Sequence, residues 1–226
     1  MTVRTLYHYP LCGFSRVVRF MLSEKKLDYE CVYQAPWDVK EEVLEHNTAG
    51  TLPVLVDING TSVFGSSAIR EYVEEVYPKP NLTGEDQIDR AESRKIADWF
   101  DYIFYNDVYL CIINEKIYKR FVREGDKVPD PSRVRLALSK LHVHLDYVSW
   151  LIDRRNWLAG QYFSIADVYA ASFLSVVDYL GCIPWAKHEI AKQWYARIKS
   201  RPAFRGILND NLSQIPPSLD YSNLDF

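Results

Sequence analysis

Hydrophobic and polar positions change their period several times along the chain, and each change marks an element. Val3–Tyr9 is rich in β-formers and stops at Pro10, which has no amide to extend a ladder. Phe14, Val17, Val18, Met21 and Leu22 then recur at helical spacing, predicting a helix to about Lys26. Tyr29–Tyr33 alternates again; as a parallel partner of the first strand it completes a right-handed βαβ unit. An acidic helical piece, Val39–His46, follows the loop around Pro36 and Trp37. Leu52–Val56 and Thr61–Phe64 flank Asn59-Gly60, a strong hairpin signal. Ser66 or Ser67 is placed to cap the next helix, whose Ala68, Ile69, Tyr72, Val73 and Val76 share a face that ends near Pro78.

This β-α-β-α-β-β-α order over residues 1–80 predicts a compact α/β domain. Pro78, Pro80 and Gly84 punctuate a linker, and residues 81–208 then read as all-helical. Ile88, Ala91, Ile96, Trp99, Phe100, Ile103 and Phe104 are expected on one stripe, as are Val134, Ala137, Leu138, Leu141, Leu145, Val148 and Ile152. Ser164-Ile165-Ala166-Asp167 has the form of a capping box, with Phe163 as its staple. Residues 209–226 form a tail, and the stretch around Pro216-Pro217 lacks the periodicity of a core element.

Charge changes this picture once it is located. The chain has 226 residues, 27 Lys and Arg against 30 Asp and Glu, and a net charge of −3, which argues against a broad nucleic-acid grip. The first 80 residues are acidic and the helical part is basic, while the tail holds Asp210, Asp220 and Asp225 without a base. The opening MTVRTLYHYP predicts no secretory leader. Ile165–Trp185 is interrupted by Asp167 and Asp178, so it reads as a buried helix with no membrane insertion. Cys12, Cys31, Cys111 and Cys182 form no C-x-x-C pair, predicting reduced thiols in a cytoplasmic protein. His142 and His144 are two apart on a helix, so they do not share a face, and no metal site is expected.

Five motifs in order resemble the cytosolic glutathione transferases. They are PLCGFSRVVR at Pro10–Arg19, TLPVL at Thr51–Leu55, GSSAIREYV at Gly65–Val73, LAGQYFSIAD at Leu158–Asp167 and RPAF at Arg201–Phe204. The resemblance implies a thioredoxin-like N-terminal domain, a helical C-terminal domain of that family's type and a homodimer. It makes Cys12, Leu52, Pro53 and Ser66 the glutathione-site positions, with a cis peptide at Pro53 and Cys12 at the catalytic turn; Ser15 is the fallback. A helix N-terminus after Cys12 should lower its thiol pKa. Relatives commonly show Glu-Ser before the third helix, whereas this chain has Gly65-Ser66. Losing a carboxylate that meets the ligand's ammonium costs ~1.5–3 kcal/mol when buried. A non-catalytic use without a cofactor is therefore expected.

Binding features lie elsewhere. Lys116, Lys119, Arg120 and Arg123 have helical spacing within a basic region, readable as a solvated face or as a surface for an acidic protein partner. Trp37 either packs on its own domain or anchors a partner. The tail, ending in Asp225 and Phe226, either lies back on the helical domain or acts as a recognition peptide. With these departures the chain is similar to the transferase-like adaptors that bind the tubulin homologue FtsZ. That resemblance implies a division-site dimer that curves FtsZ filaments, with the tail reaching the cell-wall synthesis machinery. The alternatives are a glutathione-dependent transferase or thiol reductase using Cys12, and an adaptor for another partner such as the transcription machinery.

Overall fold

The computed structural model describes residues 3–121 and 128–224. Arg123, Asp225 and Phe226 therefore lie outside the described residues. Four strands form one mixed sheet: β1 (Arg4–His8), β2 (Tyr29–Tyr33), β3 (Val54–Val56) and β4 (Ser62–Phe64), in the order β2-β1-β3-β4. β1 runs parallel to β2 and antiparallel to β3, while β3 and β4 form the expected hairpin. Gly60 supplies the positive φ of 84° that its turn requires. Alternation divides the sheet's two faces. Leu6 and Leu55 join the main core, whereas Tyr7, Val54 and Val56 pack with Val43 of α2 (Glu41–His46) in a smaller cluster.

Helices α1 (Gly13–Glu24) and α3 (Ser66–Val76) contribute Val17, Phe20, Met21, Ile69 and Val73 to the main core. Neither Ser66 nor Ser67 caps α3. The cap is Gly65, at φ 80°, and Ser66 is the first helical residue. A left-handed backbone at this position favours glycine for conformational reasons alone.

The helical part consists of α4 (Gln87–Asp98), α5 (Leu110–Ile113), α6 (Lys119–Phe121), α7 (Pro131–Ile152), α8 (Ile165–Tyr179), α9 (Glu189–Lys199) and α10 (Arg205–Leu208). Between α4 and α6 the chain winds in wider, π-type turns over Trp99–Tyr109 and Asn114–Tyr118. Phe100, Phe104, Val108, Ile112 and Ile117 recur among the buried positions there at a spacing of four to five, with Tyr109, Ile113 and Glu115 also buried. The single stripe expected from Ile88 to Phe104 is corrected accordingly: Ile88 and Ile103 are exposed. On α7 the expected face holds, with Ala137, Leu141, Leu145 and Val148 buried. The Ser164–Asp167 capping box is present, and Asp167 also accepts from the Leu158 amide and Trp194 Nε1.

α8 is buried along its whole length and packs against α1, so both parts of the chain share one core. Gly13 is required at this crossing, because a Cβ there would lie 2.6 Å from the Phe173 ring. The described part of the tail lies back on the helical domain, one of the two alternatives open for it, and contributes to the core although it lacks a core element's periodicity. Ile215 and Tyr221 are buried, and Tyr221 Oη donates to the Ile207 carbonyl at 3.0 Å. Asp210 pairs with both Arg16 and Arg19 of α1, at 3.3 and 2.7 Å.

Candidate functional site

The sheet register gathers the candidate glutathione-site positions at one end. Tyr7 of β1 pairs with Val54, and Val54 pairs with Phe64. The end of β1 leading to Cys12, the start of β3 at Pro53 and the start of α3 at Ser66 therefore lie along a common edge. Leu52-Pro53 is cis, and the Pro53 carbonyl accepts the Gly65 amide at 3.1 Å. Lys79-Pro80 is also cis, a feature the sequence reading did not anticipate.

Cys12 is the N-cap of α1, and its own amide donates to the Tyr9 carbonyl at 2.9 Å. Its surroundings differ from those expected of an activated thiol. Burial pushes the Cys12 thiol up, against the lowering influence of Ser15 and the Phe14 amide, so the net shift is upward. The helix N-terminus acts in the expected direction but is outweighed. The amide of Gly13, at the start of α1, donates to Tyr109 Oη at 3.1 Å, and that hydroxyl donates to the Leu11 carbonyl at 2.8 Å. Tyr105 stacks on Tyr109 with ring centroids 5.5 Å apart. Ser15 is fully buried, with its hydroxyl accepting the Tyr9 amide at a long 3.4 Å, so it sits in the core.

Trp37 crosses from the first domain to the helical part. It meets Tyr9 edge-on at 5.3 Å and stacks on Phe121 at 5.1 Å and 9°, with Tyr118 alongside. Packing on its own domain thus describes only half of its contacts. Trp37, Phe121, Tyr9 and Tyr33 line a small cavity of about 230 Å³ with the tail residues Leu212–Ile215.

At the start of α3, Ser66 is buried and Ser67 Oγ donates to Asp101 Oδ2 at 3.1 Å. Asp101 Oδ1 is buried with no hydrogen-bond partner among the described residues, the Tyr169 hydroxyl is buried near Ser66 and Ser67, and Arg70 lies over the Tyr169 ring at 5.5 Å. Burial raises the Asp101 carboxyl despite Ser67 and Arg70. A carboxylate therefore does stand at this helix terminus, brought from the π-type segment rather than from position 65. Tyr109, Asp101 and Tyr169 escaped the sequence reading, whereas Phe121 is expected beside the basic stripe rather than against Trp37. The only signal of the first three was membership of an aromatic-rich helical stretch that reads as core.

The basic run is not one solvated stripe. Lys119 pairs with buried Glu115 at 2.9 Å, and Arg133 reaches the same carboxylate at 3.2 Å. Although burial pushes the Glu115 carboxyl up, the Asp130 amide, Lys119 and Arg133 hold it below the usual range. Lys116 is half-buried, with its ammonium 3.5 Å from the Leu180 carbonyl, and Arg120 is exposed. His142 and His144 diverge: His142 meets His188 at 2.7 Å, while His144 accepts from Trp99 Nε1. Among the described residues no group of three or more His, Cys, Asp or Glu side chains could hold a metal ion, and no helix is long and apolar enough to cross a membrane.

Two family descriptions match this chain: the glutathione S-transferase N-terminal domain over residues 6–81 and the C-terminal domain over residues 108–202. FtsZ-localized protein A of Caulobacter vibrioides is 40% identical over 99% of this chain and 98% of its own length. The solved structure of FzlA from C. crescentus superposes with a TM-score of 0.95 at 40% identity, covering 99% of this chain and all of the other. A glutathione S-transferase structure from Rhodospirillum rubrum gives the same TM-score at 45% identity, with the same coverage.

Proposed function

The chain belongs to the glutathione S-transferase family, and from that premise we propose that it is a protein-binding adaptor of bacterial cell division that associates with FtsZ. The observation that carries this reading is the full-length 40% identity to FtsZ-localized protein A, in which neither chain has an unmatched domain-sized segment. The Cys12 environment supports it. The Gly13 amide is occupied by Tyr109, Ser15 is in the core and burial holds the thiol protonated. Such a thiol is a weak nucleophile at neutral pH.

In this reading the adaptor works as a cytoplasmic homodimer at the division site, without a cofactor. Exposed Leu136, Val143 and Trp150 lie a heptad apart on α7, giving an apolar strip suited to a symmetric contact. A dimer presents every partner site twice, so it bridges neighbouring filament subunits and changes filament curvature. Trp37, Lys116 and Arg120 are the described candidates for the partner surface. Lys119 contributes less, because Glu115 already neutralises it. A link to the cell-wall synthesis machinery would fall to the end of the tail beyond Tyr221, since the residues before it are docked.

The second reading, a glutathione-dependent transferase or thiol reductase using Cys12, is favoured by the cis Leu52-Pro53 bond and by Ser66 at the α3 terminus. Co-sedimentation with polymerised FtsZ, beside calorimetric titration with glutathione, separates the two. The adaptor pellets with filaments and gives little heat with glutathione. Micromolar glutathione binding without pelleting would reverse the order.

A further inference from the structure

We propose that the docked tail and the Lys116–Arg120 segment together build a binding site for an acidic, apolar-containing peptide of a protein partner. This rests on the adaptor reading and gives its partner a chemistry. The site is a cavity of about 530 Å³, lined on one side by Lys116 and Arg120 and on the other by Gln214, Pro216, Pro217 and Ser218 of the tail. Tyr179 and Ile215 lie at its floor.

Three features give the cavity its preference. Among the described residues neither Lys116 nor Arg120 pairs with a carboxylate, while Glu115, the one acid in the lining, is compensated by Lys119 and Arg133. Among the described residues that wall therefore carries net positive charge. Next, the tail wall is fixed. Tyr179 Oη donates to the Ile215 carbonyl at 2.6 Å, and the Ser218 amide and hydroxyl bond the Tyr179 and Asp178 carbonyls at 2.8 and 2.9 Å. Pro216 and Pro217 have restricted φ and no amide donors, so this wall offers preformed apolar faces and loses little entropy on binding. Finally, charge on one wall and proline surface on the other suit a ligand with carboxylates on one edge and apolar side chains on the other. A small inorganic anion would leave the second wall uncovered, whereas an extended acidic peptide covers both.

The test is fluorescence anisotropy on the full chain, using a fluorescein-labelled peptide of alternating aspartate and leucine and its asparagine-leucine counterpart. The aspartate peptide is expected to bind with strong salt dependence, and Lys116→Gln and Arg120→Gln each weaken it about tenfold, as expected for losing one charge-assisted contact. Both variants should keep the parent's thermal midpoint, since among the described residues neither side chain is part of an ion pair. Equal binding of the asparagine peptide, undiminished binding by both variants, or displacement by inorganic phosphate as effective as by the peptide itself would overturn the site. Aspartate-peptide binding without FtsZ co-sedimentation would support the site and remove the FtsZ reading. FtsZ pelleting without aspartate-peptide binding would do the reverse.

Discussion

The Tyr109 hydroxyl accepts the Gly13 amide at 3.1 Å, so a residue of the helical domain occupies the α1 terminus beside Cys12. The two residues are 96 positions apart. A first-turn amide that could support a thiolate is thereby satisfied by a neutral phenol, whose own ionisation burial pushes well above its ordinary range. Cys12 should accordingly be alkylated more slowly than exposed Cys31, as read by differential labelling and mass spectrometry at neutral pH. Tyr109→Phe loses the bonds to Gly13 and Leu11 at a cost of about 1–3 kcal/mol, and it should raise the Cys12 labelling rate relative to Cys31. Faster labelling of Cys12 than of Cys31 in the parent chain would contradict the account.

Asp210 binds two buried arginines at once. Asp210→Ala leaves both guanidinium groups without their carboxylate, with an expected loss of about 3–5 kcal/mol in urea denaturation. Removing Leu219–Phe226 should also be costly, because Tyr221 is buried and bonded to Ile207. Emptying an aromatic site of this kind costs about 3–5 kcal/mol.

Gly13→Ala places a methyl group 2.6 Å from the Phe173 ring, within the packed crossing of α1 and α8. Overpacking there should cost about 1–3 kcal/mol. Phe173→Leu in the same chain should recover part of that loss, giving a non-additive double-mutant cycle. Strict additivity would mean that the clash is relieved elsewhere.

Acid sensitivity should come from His8. Burial first, then the charge of Arg19, lowers its pKa from 6.5 to about 3. Through that window the unfolded chain takes up a proton that the native state refuses. Stability therefore falls as pH drops, with a limiting slope of about 1.4 kcal/mol per pH unit. Asp167 works the other way: burial raises it from 3.8 to about 6, so the native state keeps a proton that the unfolded chain releases. Where the two windows overlap, between 3.8 and about 6, the two one-proton slopes oppose each other, and the His8 contribution stands alone above that range. The stability of the parent relative to His8→Gln should therefore fall as pH drops from neutral into the window, read from the denaturation midpoints of both chains. An identical slope would assign the effect to other groups.

The order of strands and helices in the first domain is legible because period-two alternation and Asn59-Gly60 each have a single geometric meaning. The capping box at Ser164 is legible for the same reason: its partners are three residues apart. Other features depend on remote partners or unusual geometry. The stretch Trp99–Tyr109 winds in turns wider than the 3.6-residue template assumes, which misplaces Ile103. Gly65 looks like the loss of an acid, yet its positive φ gives the glycine a backbone reason, and Asp101 arrives from a distant helix. The tail's buried Ile215 and Tyr221 show no period, because the segment is held by bonds to Tyr179 and Ile207 rather than by its own helix.

The Arg16–Asp210 pair has a consequence for synthesis. Its partners are separated by 194 residues, and Tyr221 follows later still. A nascent chain can assemble its sheet early, but the clasp over α1 and α8 waits until Asp210 and Tyr221 have been made. A chain cut short before Tyr221 lacks part of that clasp and is left easier to open and degrade. The far wall of the Lys116–Arg120 cavity is supplied by residues 214–218 of this same segment, so a partner site built there forms only once that segment has docked.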